Sequence, residues 1–129
     1  MTIITANQTL NSIKSAQKRG KLVCNVKKSK IAERLLRVLR RTKFIYGFCK
    51  KPGRALAMYL RYHNGVPLIR GSRSISRPGS RVYADRFGIR KNSNFLNTAV
   101  ISTSRYGFSW SGVLRKNSDI GGEVICSVW

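Results

Sequence analysis

The chain has 129 residues, 42% of them hydrophobic, which is enough for one compact body or two very small lobes and is the composition of a globular protein. Against 26 Lys and Arg stand four acids, Glu33, Asp85, Asp119 and Glu123, for a formal net charge of +22. No internal pairing neutralises such a field, so it selects a dense polyanion, with nucleic acid first and an anionic membrane second, whereas a surface charged only for solubility mixes both signs.

From about Asn7 to Arg19, apolar residues at Leu10, Ile13 and Ala16 followed by Gly20 predict a short amphipathic helix with a glycine stop. Leu22 to Val26 reads as a strand. A second helix begins behind Ser29, a suitable N-cap, with Glu33 near its positive end and Arg40 and Arg41 near its negative end. Ile31, Ala32, Leu35, Leu36, Val38 and Leu39 make its apolar face, and Arg34, Arg37 and Arg41 its basic one. Phe44 to Cys49 and Arg54 to Tyr62 are β-type runs joined through Pro52-Gly53, a pair suited to the centre of a type II turn. Asn64-Gly65 is a second tight-turn signal, leading into Val66 to Ile69.

Beyond this point Gly, Ser, Arg and Asn become frequent. Short strands are expected near Arg73 to Ile75, Arg81 to Tyr83, Thr98 to Ser102 and Val124 to Trp129, with a short helix or loop around Ser111 to Lys116. The fold class that follows is α+β in two small lobes: an αβαββ lobe over residues 1–66 and a mostly-β lobe with a short helix over residues 67–129. Both are basic, the first with 16 cations and one acid, the second with 10 and three. Lobes this small bury only about 60% of their unfolded surface, so a bound polyanion is expected to stabilise the native state by linkage.

Cys24, Cys49 and Cys126 are odd in number and far apart, and His63 is the sole histidine. Neither a disulfide framework nor a zinc-ligand spacing emerges, and buried or half-buried free thiols are expected. No stretch is long and apolar enough for a membrane helix, and no secretory apolar core is present near the N-terminus.

Three segments of the second half are specific: Ser76-Arg77-Pro78-Gly79-Ser80-Arg81-Val82-Tyr83, then Ile101-Ser102-Thr103-Ser104, then Gly121-Gly122-Glu123-Val124-Ile125-Cys126-Ser127-Val128-Trp129. In this order and spacing they resemble the signature blocks of the bacterial-type small-subunit ribosomal protein S-eight family. Ser29-Lys30, Phe44-Ile45 and Leu60-Arg61-Tyr62 agree with it more loosely. The resemblance implies a two-lobe α+β protein that binds the central domain of small-subunit rRNA directly, early in assembly, beside neighbouring small-subunit proteins. The chain departs from the family in three places. The acid-containing start of the first helix is absent, Asn94-Phe95-Leu96-Asn97 replaces a glycine-rich approach, and Gly107-Phe108-Ser109-Trp110-Ser111 stands where the family opens a helix, with Ser111 as a replacement cap.

The resemblance implies RNA contact at Ser102, Thr103 and Ser104, with Arg105 following. Short hydroxyl side chains donate and accept, and they admit a backbone close to ribose 2′-hydroxyls; a strand-ending turn uses the same residues. Arg77 and Arg81 can bind phosphate. Tyr83 can stack on a base or sit in the core. Lys28, Lys30 and Arg34 gather where the second helix starts and the backbone favours an anion. Glu123 would be repelled by phosphate and reads as an orienting residue, accepting hydrogen bonds from hydroxyls of residues 102–104 or nearby amides, with Gly121 and Gly122 allowing the approach; a strand-start acid paired with a surface Arg is the alternative. Trp110 reads as a buried aromatic or a macromolecular contact.

The leading expectation is a non-enzymatic structural constituent of the small ribosomal subunit that binds rRNA. It has no cofactor, metal, small-molecule substrate or membrane partner. The alternatives are another basic RNA-binding protein or mRNA-binding regulator, and a cationic membrane-surface protein, which would want a long aromatic-faced basic helix. An enzyme would need a phosphate loop, ligand cluster or carboxylate pair that the chain lacks. The basicity, the Asn/Ser/Lys-rich loops and the divergent first half point to a mitochondrial ribosome, with plastid or bacterial cytoplasm as alternatives. The first 13 residues carry no Arg and make a poor presequence, so an organellar member would be made inside the organelle or already processed.

Overall fold

The computed structural model of the chain describes residues 2–85, 98–104, 107–110 and 121–129. It is α+β and divides into two compact units, Met1–Arg70 and Gly71–Trp129.

In the first unit the order is α1 (Thr2–Lys18), β1 (Val23–Lys27), α2 (Lys30–Arg41), β2 (Ile45–Lys51), β3 (Ala55–Leu60), then β4 (Tyr62–His63) and β5 (Val66–Pro67). Helix α1 starts five residues earlier than expected because Ile3 and Ala6 extend the stripe of Leu10, Ile13 and Ala16, all buried. It ends at Gly20, where the Lys21 and Gly20 amides turn back to the carbonyls of Ala16 and Gln17. Helix α2 begins as read: the Ser29 hydroxyl accepts from the Ala32 amide at 3.0 Å. Its buried face is Ala32, Leu35, Leu36, Val38 and Leu39, while Arg34, Arg37, Arg40 and Arg41 are exposed.

The helices pack on one face of an antiparallel sheet ordered β1-β3-β2. Alternation along the strands decides which residues face them: Cys24, Val26, Ile45, Leu56, Met58 and Leu60 are buried, and their strand neighbours turn the other way. The Pro52-Gly53 signal becomes the β2–β3 turn, with Gly53 at φ 87, and Asn64 (φ 50) with Gly65 (φ 78) closes the separate β4–β5 ribbon. That ribbon is shorter than the expected Val66 to Ile69 run, and the chain breaks from β3 at Arg61 instead of continuing to Tyr62.

Among the described residues the second unit holds a five-stranded antiparallel sheet built on β10 (Gly122–Val128). One edge of β10 pairs with β6 (Ser72–Ser74) and, further along, with β7 (Tyr83–Ala84). The other pairs with β8 (Thr98–Thr103), which carries β9 (Gly107–Trp110) outside it. The sequence expected a helix opening at Gly107–Ser111. Residues 107–110 instead form β9, a strand carrying Phe108 and Trp110 that pairs antiparallel with β8. The predicted element at 111–116 and the Asn94–Asn97 substitution lie outside the described residues. The core groups Ala99, Ile101 and Val124 with Ile75 and Ala84.

Candidate nucleic-acid interface

Pairing across β10 places three of the sequence-predicted residues in one transverse row. Glu123 is the Cα partner of Tyr83 on one side and of Ser102 on the other, so the three side chains share a face. The opposite face carries Ala84, Val124 and Ile101, which belong to the core. Tyr83 is 66% exposed, which removes the core-aromatic reading of it, while Glu123 and Ser102 are half-buried.

Close approach of three strands is possible because Gly121 precedes β10 and Gly122 opens it. A Cβ on Gly122 would overlap the Ser102 carbonyl, and one on Gly121 would overlap the Ala84 carbonyl. The Glu123 Oε1 is buried and has no hydrogen-bond partner among the described residues. The turn after β8 is held by Thr103, whose hydroxyl donates to the Gly107 carbonyl at 3.0 Å. Thr103 is accordingly buried, Ser104 is exposed at the turn, and Arg105 lies outside the described residues.

Upstream of Tyr83, the Pro78-Gly79 turn is a small closed loop. Arg77 and Ser80 exchange backbone hydrogen bonds at 3.0 and 2.9 Å, and Gly79 takes a φ of 81. Arg77 and Arg81 are exposed at its base. What fixes this loop was missed in the sequence: Ser76, completely buried, donates to the Val124 carbonyl at 2.6 Å and accepts from the Val82 amide at 3.0 Å. A buried hydroxyl with both functions used ties the loop to β10. The signal was present, since Ser76 opens the specific block, but a lone serine is silent about which partners lie 48 residues away.

Lys28, Lys30 and Arg34 are exposed in the first unit around the start of α2, apart from the row in the second. The first unit also holds a cavity of about 480 Å³ whose cations are Arg37, Arg40, Arg41 and Lys50; Glu33 pairs with Lys50 there at 3.4 Å. Cys24 and Cys126 are buried, and burial pushes both thiols up, Cys126 to about 12. Cys49 departs from the expectation of burial and is exposed, because it sits on the sheet face that no helix of its unit covers. No group of His, Cys, Asp or Glu able to hold a metal occurs among the described residues.

The family model described as "Ribosomal protein S8" matches residues 5–129. The chain belongs to the ribosomal protein S8 family. Relatives named "Small ribosomal subunit protein uS8" include that of Halothermothrix orenii, 37% identical over 128 residues covering 93% of this chain and 92% of that protein. The relative from Acidiphilium cryptum is 36% identical over 124 residues, 93% of this chain and 94% of its own, and that from Bordetella petrii is 36% identical over 122, 92% of each. The match takes in the divergent first half as well as the three signature blocks, so a ribosomal protein S8 framework spans both units.

Proposed function

We propose that the chain is a structural, non-catalytic constituent of a small ribosomal subunit and binds small-subunit rRNA directly. The observation that carries this reading is the Tyr83–Glu123–Ser102 row, flanked by Arg77 and Arg81 on one side and by the Thr103–Ser104 turn on the other. The arginines at one end suit phosphates. The ring suits a base or sugar face, and the serine hydroxyls suit ribose 2′-hydroxyls. The Glu123 carboxylate keeps phosphate off the middle of the row and so fixes the direction in which RNA lies. Lys28, Lys30 and Arg34 add phosphate contacts from the first unit.

In this reading bulk charge supplies affinity and the row supplies preference. The +22 charge and the Asn/Ser/Lys-rich loops suit an organellar ribosome, mitochondrial in the first instance. A central-domain rRNA fragment and an unrelated structured RNA of equal length should be separated at roughly 0.15 M salt, where screening reduces bulk attraction. Tyr83→Leu with Ser102→Val should abolish the preference. Arg77→Ala or Arg81→Ala should weaken both RNAs and lower the salt slope by about one each. Equal affinity of the unaltered chain for the two RNAs at that salt would remove the reading.

A further inference from the structure

The three-stranded sheet of the first unit buries one face under its own helices and leaves the other open. Strand register defines that open face. Val23 lies opposite Tyr59 on β3, and Tyr59 lies opposite Gly47 on β2; Asn25 and Cys49 flank Ala57 in the next row. Val23, Asn25, Tyr59 and Cys49 are exposed. One extra residue, Tyr46, is inserted in β2 where the register shifts, and it is 68% exposed. Two exposed tyrosines thus stand on adjacent strands, with Gly47 next to both, while Ala57 in the following row is completely buried.

Both rings are held. The Arg61 guanidinium sits 5.4 Å from the centroid of Tyr46 and donates to the Lys43 carbonyl at 3.1 Å, and the Tyr59 hydroxyl lies 3.5 Å from the Cys49 sulfur. A fixed ring loses little entropy when something stacks on it. The surroundings are cationic: Lys27 and Lys51 end the outer strands, and Lys43 and Arg61 lie beside Tyr46. The sole acid of residues 1–70, Glu33, is on α2 and engaged with Lys50. An apolar protein partner would leave these charges unpaired, and an acidic one would leave the flat π-faces unused. Unpaired nucleotides use both.

We propose that this open sheet face is a second RNA surface, on which Tyr59 and Tyr46 stack unpaired bases while Lys27, Lys43 and Lys51 hold the flanking phosphates. It goes beyond the row in the second unit, and neither surface needs the other.

Cys49 is a native reporter in the middle of the platform, because the other two thiols are buried. The full chain is treated with N-ethylmaleimide with and without an unpaired oligouridine of about eight nucleotides, within the span such surfaces accept. Alkylation of Cys49 is followed by peptide mass spectrometry, and the ratio of rates is taken for each variant, since Tyr59 touches the thiol. Saturating oligouridine should slow Cys49 alkylation roughly 10-fold or more. The concentration needed should rise roughly 10-fold for Tyr46→Leu or Tyr59→Leu and about 100-fold for the pair, whereas the double Phe variant should stay close to the parent. An unaltered Cys49 rate under saturating RNA overturns the proposal, as does a double Leu variant that keeps its fold by circular dichroism and is protected like the parent. Protection by small-subunit proteins but not by RNA assigns the face to a protein and overturns it too. Failure of the second-unit reading looks different: cognate preference is missing while Cys49 is still shielded.

Discussion

The two units solve the problem of carrying many cations on a small core in opposite ways. The first sorts by side chain: α1 and α2 turn their apolar stripes onto one sheet face and leave their arginines and lysines to solvent. The second sorts by backbone. Its central strand, β10, is paired along both edges, and its fixed points are small residues, with Gly121 and Gly122 admitting neighbouring backbone and Ser76 pinning a loop through one hydroxyl. A helix-on-sheet core tolerates local change, because methyl groups repack at modest cost. A backbone-to-backbone fit does not, since a carbonyl has nowhere to retreat.

The sharpest way to break this contrast is Gly122→Ala. Its Cβ would overlap the Ser102 carbonyl, so β8 and β10 must part at the row that carries the candidate site. The expected loss is about 3 kcal/mol, the upper end for overpacking. Both tryptophans, Trp110 and Trp129, lie in the second unit, so urea unfolding followed by their fluorescence reads it directly. The preference for cognate RNA should fall with it. An unchanged midpoint would mean that the strands part freely and that small residues are not what fixes this unit.

The same contrast explains what could be read from the sequence. In the first unit the signals are local: a capping serine, a stripe at helical spacing and a Pro-Gly turn each act within a few residues, and each was found. The miss at α1 was one of extent, because Ile3 and Ala6 precede the expected start with no capping residue to announce them. In the second unit the determinants act at a distance. Phe108 and Trp110 alternate as a strand does, yet only pairing with β8 makes β9, and the family's helix opening at that place argued against it. Resemblance placed Tyr83, Ser102 and Glu123 among the candidates, but that one strand aligns all three needs register. The hydrogen bond from Thr103 to Gly107 likewise depends on β9.

A second prediction sharpens the contrast through pH. Burial holds the Cys126 thiol neutral in the folded chain, with its pKa raised from the ordinary 9.0 to about 12. Between those values the unfolded chain binds fewer protons than the folded one, so the contribution to stability is whole below about pH 9 and is lost as pH rises towards 12. At about pH 10.5 the loss should approach 2 kcal/mol. Other groups titrate there as well, so the useful quantity is the difference in pH slope between the parent chain and Cys126→Ala. Parallel slopes would show that water reaches the thiol and that the β10 core is looser than its packing suggests.

The smallest effect belongs to the first unit and should be a gain. Both helices end in the same pattern, with the amide after the turn residue reaching back to the last helical turn: Lys21 to Ala16 in α1 and Phe44 to Leu39 in α2. The turn residue is Gly20, at φ 67, in α1 and Lys43, at φ 65, in α2. Glycine takes this left-handed conformation without steric cost, whereas the Lys43 Cβ crowds its own carbonyl. Lys43→Gly should therefore stabilise the unit by about 1 kcal/mol, less the added freedom of the unfolded chain. The bond from Arg61 runs to the Lys43 carbonyl and survives the change, so Tyr46 keeps its cation. The midpoint of the α1 and α2 circular dichroism signal should rise. A fall instead would mean that the lysine side chain contributes more than its backbone costs. RNA separates the two effects further: if Lys43 holds a phosphate at the open sheet face, the variant gains stability while losing affinity for oligouridine, an outcome that strain relief alone does not produce.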